Sequence, residues 1–116
     1  MNTIIIMKKK QADNQTNLNL LRLINKNPNA SQRKLASELG FSLGKLNYCL
    51  RSLQKKGLVK LQNFQKQSNK IKYLRYIVTP KGISERTKLT INFMKRKMNE
   101  YDELKKELED KNVDNN

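Results

Sequence analysis

The chain has 116 residues, enough for one domain with an appendage, and only 36% of them are hydrophobic, so its core is small and association can add stability. Its net charge is +15, from 25 basic and 10 acidic residues, an excess that a polyanionic partner explains better than a mixed-sign solubility surface does. There is no histidine and one cysteine, which excludes His-based acid–base chemistry and a Cys/His zinc site; with no nucleophile–base pair and no glycine-rich phosphate loop, neither an enzyme nor a cofactor is expected.

Residues 1–16 carry no sustained periodicity and are expected to be a mobile basic arm. Its Ile4–Ile6 patch is too short for a transmembrane or signal segment and precedes the lysines instead of following them. Lys8, Lys9 and Lys10 either touch phosphates or are simply solvated. A first helix is predicted from Asn17 to Lys26, with Leu18, Leu21 and Ile24 inward and Leu20 and Leu23 widening the stripe. Asn27-Pro28-Asn29 ends it, because proline disfavours a helical residue before it.

Ser31 to Lys56 reads as two short helices around a tight turn. Ser31 caps the first, Leu35, Ala36 and Leu39 share a face, and Gly40 closes it at a left-handed position. Ser42 caps the second, on which Leu43, Leu46, Leu50 and Leu53 point inward, while Gly44, Lys45, Asn47, Tyr48 and Arg51 form the opposite face. This pattern is a helix-turn-helix with a basic, amide and aromatic front. Gly57 is a second closing glycine. Leu58 to Phe64 and Tyr73 to Val78 read as strands around the polar loop Gln65–Lys72, a hairpin wing carrying Lys66, Lys70 and Lys72. The fold class is therefore mainly α with a small β-hairpin: a winged helix-turn-helix domain over 17–78, plus a long C-terminal dimerisation helix.

Thr79 caps that last helix and Pro80 takes its first position. The helical pattern runs over 79–111, and 112–116 are expected to be a disordered tail. Thr87, Ile91, Met94, Met98, Tyr101 and Leu108 follow spacings of four and three, with Lys105 interrupting. This is a narrow seam for a second copy, and the chain is too small to bury it alone. Residues 79–100 net +4 (six basic, two acidic) and 101–116 net −3 (three basic, six acidic), which favours an antiparallel pair. Cys49 flanks the buried face of its helix: it is either a small buried hydrophobe or a redox sensor. A lone thiol fits a reducing, cytoplasmic location.

The charge is placed to suit double-stranded DNA. Residues 31–56 net +5 (six basic, one acidic) and 57–78 net +5 (five basic, none acidic). Lys45 and Arg51 suit guanine O6/N7 and Asn47 suits adenine N6/N7. Gly44 lets the backbone approach closely, Tyr48 stacks on sugar or meets a thymine methyl, and Lys55 suits phosphate. The competing reading is a winged-helix module for protein or RNA, which an apolar second-helix face would favour.

The segments LASELG (35–40), FSLGKLNYCLRSLQKKGLVK (41–60) and VTPKG (78–82) resemble the MarR family of bacterial winged-helix regulators. NPNASQRKLASELGFSLGKLNYCL and GLVKLQNF are similar to the exopolysaccharide-associated subgroup of that family. The resemblance covers about residues 18–110. It implies a dimeric DNA-binding transcription factor encoded near polysaccharide-synthesis genes, with 42–56 as the DNA-reading helix and 63–72 as the wing. The wing QKQSNKIK lacks the family's acidic-then-arginine pair, and the chain is too short for the helices that enclose a ligand cleft in larger members, which leaves any small-molecule effector unassigned.

Overall fold

A computed structural model describes residues 3–65 and 72–114. The order is α1 (Thr3–Lys26), α2 (Gln32–Leu39), α3 (Leu43–Lys55), β1 (Val59–Gln65), β2 (Lys72–Val78) and α4 (Pro80–Asp114). It is a three-helix body with an antiparallel two-stranded wing and a long final helix, the expected fold class.

Each helix boundary has a local cause. The Ser31 and Ser42 hydroxyls accept the backbone N–H of Lys34 and Lys45, both at 3.1 Å. Gly40 and Gly57 take φ of 68° and 76°. Around Gly40, Phe41 N donates to Ala36 O and Gly40 N to Ser37 O; around Gly57, Leu58 N donates to Leu53 O and Gly57 N to Gln54 O. These paired bonds satisfy the last carbonyls of α2 and α3, and only glycine adopts the left-handed turn between them without strain.

The core joins Leu18, Leu20, Leu21 and Ile24 of α1 to Leu35 and Ala36 of α2, Leu46, Leu50 and Leu53 of α3, Leu58, Val59 and Leu89. Leu43, expected to face inward, is 45% exposed, because it starts α3 one turn beyond the reach of the core.

Three boundaries differ from the sequence reading. The expected arm is helical from Thr3, although every residue from Thr3 to Asp13 is exposed. The first proline is Pro28 and the first glycine Gly40, so nothing interrupts outward propagation from the packed turns at Leu18–Ile24. The wing register runs from Val59↔Val78 to Gln65↔Lys72, so pairing continues through both residues assigned to the ends of its loop. Helix α4 continues to Asp114, past the expected end at Lys111, because no breaker stands there.

Helix α4 has two apolar faces. Buried Gly82 and Leu89 and half-buried Phe93 lie on the line that packs against the body, and α1 packs against α4. The expected seam lies elsewhere on the circumference and is open: Ile91, Met94, Met98, Tyr101 and Leu108 are all exposed, Met98 by 63%. Leu104, also exposed, carries this seam past Lys105 at spacings of three and four.

The joint between wing and α4 is tight. The Thr79 hydroxyl donates to Gly57 O at 2.6 Å and accepts from Gly82 N at 3.0 Å, while Thr79 N donates to Leu58 O at 3.0 Å. A Cβ on Gly82 would sit 2.0 Å from the Leu58 carbonyl oxygen and 2.7 Å from Val78 Cγ1. Gly82→Ala is therefore expected to lower unfolding stability by about 2–3 kcal/mol, the cost of overpacking against backbone that cannot yield. Gly44→Ala, whose Cβ would meet nothing within 4 Å, is expected to raise stability by about 0.5–1 kcal/mol through helix propensity. Urea titrations of both variants check the contrast.

Candidate nucleic-acid interface

Helix α3 turns its three core leucines inward and so fixes what faces outward. At 100° per residue, Gly44, Tyr48, Arg51 and Lys55 fall on one line, with Asn47 beside it. Gly44, Arg51 and Lys55 are exposed, Tyr48 is 76% exposed, and Asn47 is half-buried. A phenol ring so far in water at the centre of a basic helix face has no packing role in the chain.

Lys45 departs from this group. It lies about 100° around the helix from Gly44, and its ammonium stands 4.1 Å from the centre of the Phe41 ring. That cation–π contact holds Lys45 over the turn between α2 and α3, at the margin of the outward face. The aromatic position just after Gly40 is the sequence signal for it, and it went unused. Ser42 spends its hydroxyl on the cap.

Other cations of the motif and its flank are exposed as well. Arg33 and Lys34 are exposed in the first turn of α2, and Lys56 and Lys60 are exposed at the junction with β1. Of the expected wing lysines, Lys66 and Lys70 lie outside the described residues, and Lys72 is the first residue of β2, its backbone paired with Gln65. The wing is held from its other strand: the Arg75 guanidinium donates through Nη1 to the Pro28 carbonyl, tying β2 to the turn between α1 and α2. Sequence periodicity shows Arg75 only as a polar strand position, since a side chain reaching a backbone carbonyl 47 residues away leaves no local pattern.

Cys49 is half-buried on the flank of α3. Burial pushes its thiol above the ordinary value; Lys45 works against this shift and Asp13 adds to it. A raised value leaves little thiolate at neutral pH, so the sulfur is a poor nucleophile there. Among the described residues, no group of His, Cys, Asp and Glu side chains could hold a metal ion, and no helix is long and apolar enough to cross a membrane. An open groove of about 260 Å³ lies between α1 and α2, lined by Arg22, Leu23 and Lys26 and by Glu38 and Leu39.

Residues 13–60 match the family model for winged helix-turn-helix DNA-binding domains. No curated protein is significantly similar in sequence. Solved structures share the fold. The PcaV transcriptional regulator from Streptomyces coelicolor, in complex with its natural ligand, is 15% identical over 69% of this chain and 55% of its own, with a TM-score of 0.55. This chain thus spans just over half of that regulator. A MarR family transcription regulator is 17% identical over 81% of this chain and 67% of its own, with a TM-score of 0.58. The S. aureus MepR–DNA complex is 18% identical over 83% of this chain and 74% of its own, also with a TM-score of 0.58. Residues 13–60 of this chain are thus similar to winged helix-turn-helix DNA-binding domains, and the chain shares its fold with MarR-type regulators.

Cys49→Ser is expected to leave DNA binding, and its response to dilute peroxide, unchanged. Gel-shift titration before and after oxidation checks this; loss of binding by the native chain alone would make the thiol a sensor.

Proposed function

We propose that the protein is a sequence-specific, double-stranded DNA-binding transcriptional regulator of the MarR type, without enzymatic activity or a cofactor, acting in the cytoplasm as a homodimer. The observation that carries this reading is the outward face of α3. Gly44, Asn47, Tyr48, Arg51 and Lys55 converge on one side of a helix whose other side is anchored in the core, and the winged helix-turn-helix match spans that helix.

In this reading α3 enters the major groove. Arg51 pairs with guanine O6/N7 and Asn47 with adenine N6/N7. Tyr48 packs on a sugar or a thymine methyl, and Gly44 lets the helix backbone come close. Lys45, displaced to the margin by Phe41, meets phosphate instead of a base edge. Lys55, with Arg33 and Lys34 at the start of α2, neutralises further phosphates, and Ser42 contributes backbone at the helix entry. Lys66, Lys70 and Lys72 carry the wing contacts to phosphate or the minor groove. Polysaccharide-synthesis genes as targets follow from the sequence resemblance alone.

Two copies meet through the open seam of α4. Ile91, Met94, Met98, Tyr101, Leu104 and Leu108 are exposed in the single chain, and an antiparallel pair brings Lys88 near Glu109 and Lys95 near Asp102. A parallel pair would set like charges side by side. The domain division that serves this function is a DNA-binding unit over 17–78 and a dimerisation helix from 79.

Binding should fall about a thousandfold or more as salt rises from about 50 to 200 mM, if a dimer neutralises about six to ten phosphates. Fluorescence anisotropy across that range checks it, and a flat response contradicts it. Arg51→Ala should cost about 1–3 kcal/mol at particular base pairs, whereas Lys66→Ala and Lys70→Ala should weaken all sequences alike and reduce the salt slope. Met94→Lys with Met98→Lys should convert the dimer to monomer in sedimentation experiments, by burying unpaired charge in the seam.

A further inference from the structure

The contact between Lys45 and Phe41 is built from two fixed ends. The ammonium stands 4.1 Å from the centre of the ring. Arg96 and Lys97 stand farther from the Phe93 ring of α4, at 5.9 and 5.5 Å. Phe41 is half-buried against the core, and its amide donates to Ala36 O at 2.8 Å in the turn that closes α2. The Lys45 amide donates to the Ser42 hydroxyl at 3.1 Å, so only the lysine stem is left to move.

The ring is what sets the direction of that stem. The first turn of α3 holds no acidic residue, and among the described residues Lys45 makes no ion pair. The positive end of the helix dipole repels a cation there. Lys45 and Cys49 lie one turn apart on the same flank of α3, about 100° around from the line of Gly44, Tyr48 and Arg51. The ammonium acts on the Cys49 thiol, as that shared flank requires. A helix in the major groove turns its front to base edges and its flanks to the phosphate strands that wall the groove.

We infer that Phe41 is a positioning residue for DNA recognition: its ring holds Lys45 on the flank of α3, aimed at a phosphate and withheld from the base edges. This rests on the reading of α3 as the major-groove helix. Phe41 touches no DNA itself and acts through Lys45. Ordering a free lysine stem is among the largest side-chain entropy costs, and a stem already laid over a ring has met part of that cost before DNA arrives. The ring also sharpens selection. A lysine free to reach forward from the first turn of α3 would accept guanine wherever one came within range, and would blur the preference set by Asn47 and Arg51.

The test is a double-mutant cycle on the full chain, read by fluorescence anisotropy with a duplex selected by the native protein and an unrelated duplex of equal length. Lys45→Met should weaken binding to both duplexes and lower the salt slope by about one. Phe41→Leu should weaken binding about two- to fivefold and leave the slope unchanged, because the charge is still present. In the Lys45→Met background Phe41→Leu should change nothing further. Phe41→Tyr, which keeps the ring, should bind as the native chain does. A pentafluorophenyl ring at position 41 keeps the packing but removes the attraction, so it should act as Phe41→Leu does even if that variant folds poorly. Proton NMR should show the Lys45 ε-methylene shifted upfield by the ring in the native chain and in Phe41→Tyr, and not in Phe41→Leu. An equal loss from Phe41→Leu with and without Lys45 would make the ring purely structural and overturn the proposal. So would native affinity in the pentafluorophenyl variant, which leaves the placement of α3 in the groove standing. A native chain that binds neither duplex brings down both.

Discussion

Three parts of the molecule are fastened at one point, the Thr79 side chain and its neighbour Gly82. A single hydroxyl donates to the carbonyl that ends the α3 turn and accepts the third amide of α4, while the Thr79 amide holds the carbonyl that starts β1. The flat face of Gly82 lets the helix seat directly on the Leu58 backbone. Every one of these bonds is local and modest, about 1 kcal/mol each. Together they set the direction in which α4 leaves the wing. In a dimer built on α4, the separation of the two reading helices is then set by helix geometry, not by a flexible linker. With 35 residues at about 1.5 Å each, α4 is long enough for that role.

The remaining contacts serve the same end. Leucines of α1 and α3 supply half of the buried core side chains, each contributing about 1.5–3 kcal/mol of transfer free energy before the entropy of ordering is set against it. Arg75 ties the second wing strand to the Pro28 carbonyl, so the wing is fixed at its base by Thr79 and along its length by the body. What the chain leaves unburied is concentrated at the two ends of its helical frame, the start of α1 and the far half of α4. These apolar surfaces are open in the single chain, as is the basic face of α3.

Much of this was legible in the residues. Serine caps at 31 and 42, glycines at 40 and 57 and the leucine spacing between them define the helix-turn-helix, because capping and amphipathic period act over a few residues and are written locally. The spacing of the apolar residues along α4, which the structure leaves exposed, is written locally too. The helical state of 3–16 was not legible, since periodicity reports burial and residues 3–13 are exposed throughout. Leu43 was misassigned because a face pattern does not say how far the core extends. Gly82 and Arg75 are silent in sequence for a shared reason: each acts through a partner distant along the chain, a carbonyl at Leu58 and a carbonyl at Pro28. The second face of α4 was hidden because Leu89 and Phe93 look like stray apolar positions until the body is placed beside them.

The most direct test of the account is dimethyl sulfate protection of guanine N7 on DNA fragments selected by the purified protein. A helix reading guanine through Arg51 in the major groove predicts protected guanines in two symmetry-related half-sites, a whole number of helical turns apart, each turn about 34 Å. It further predicts that protection at one position in each half-site disappears with Arg51→Ala while the phosphate footprint remains. Bound DNA whose guanine N7 atoms all stay reactive, or a protection pattern indifferent to Arg51, would contradict the placement of α3 in the groove.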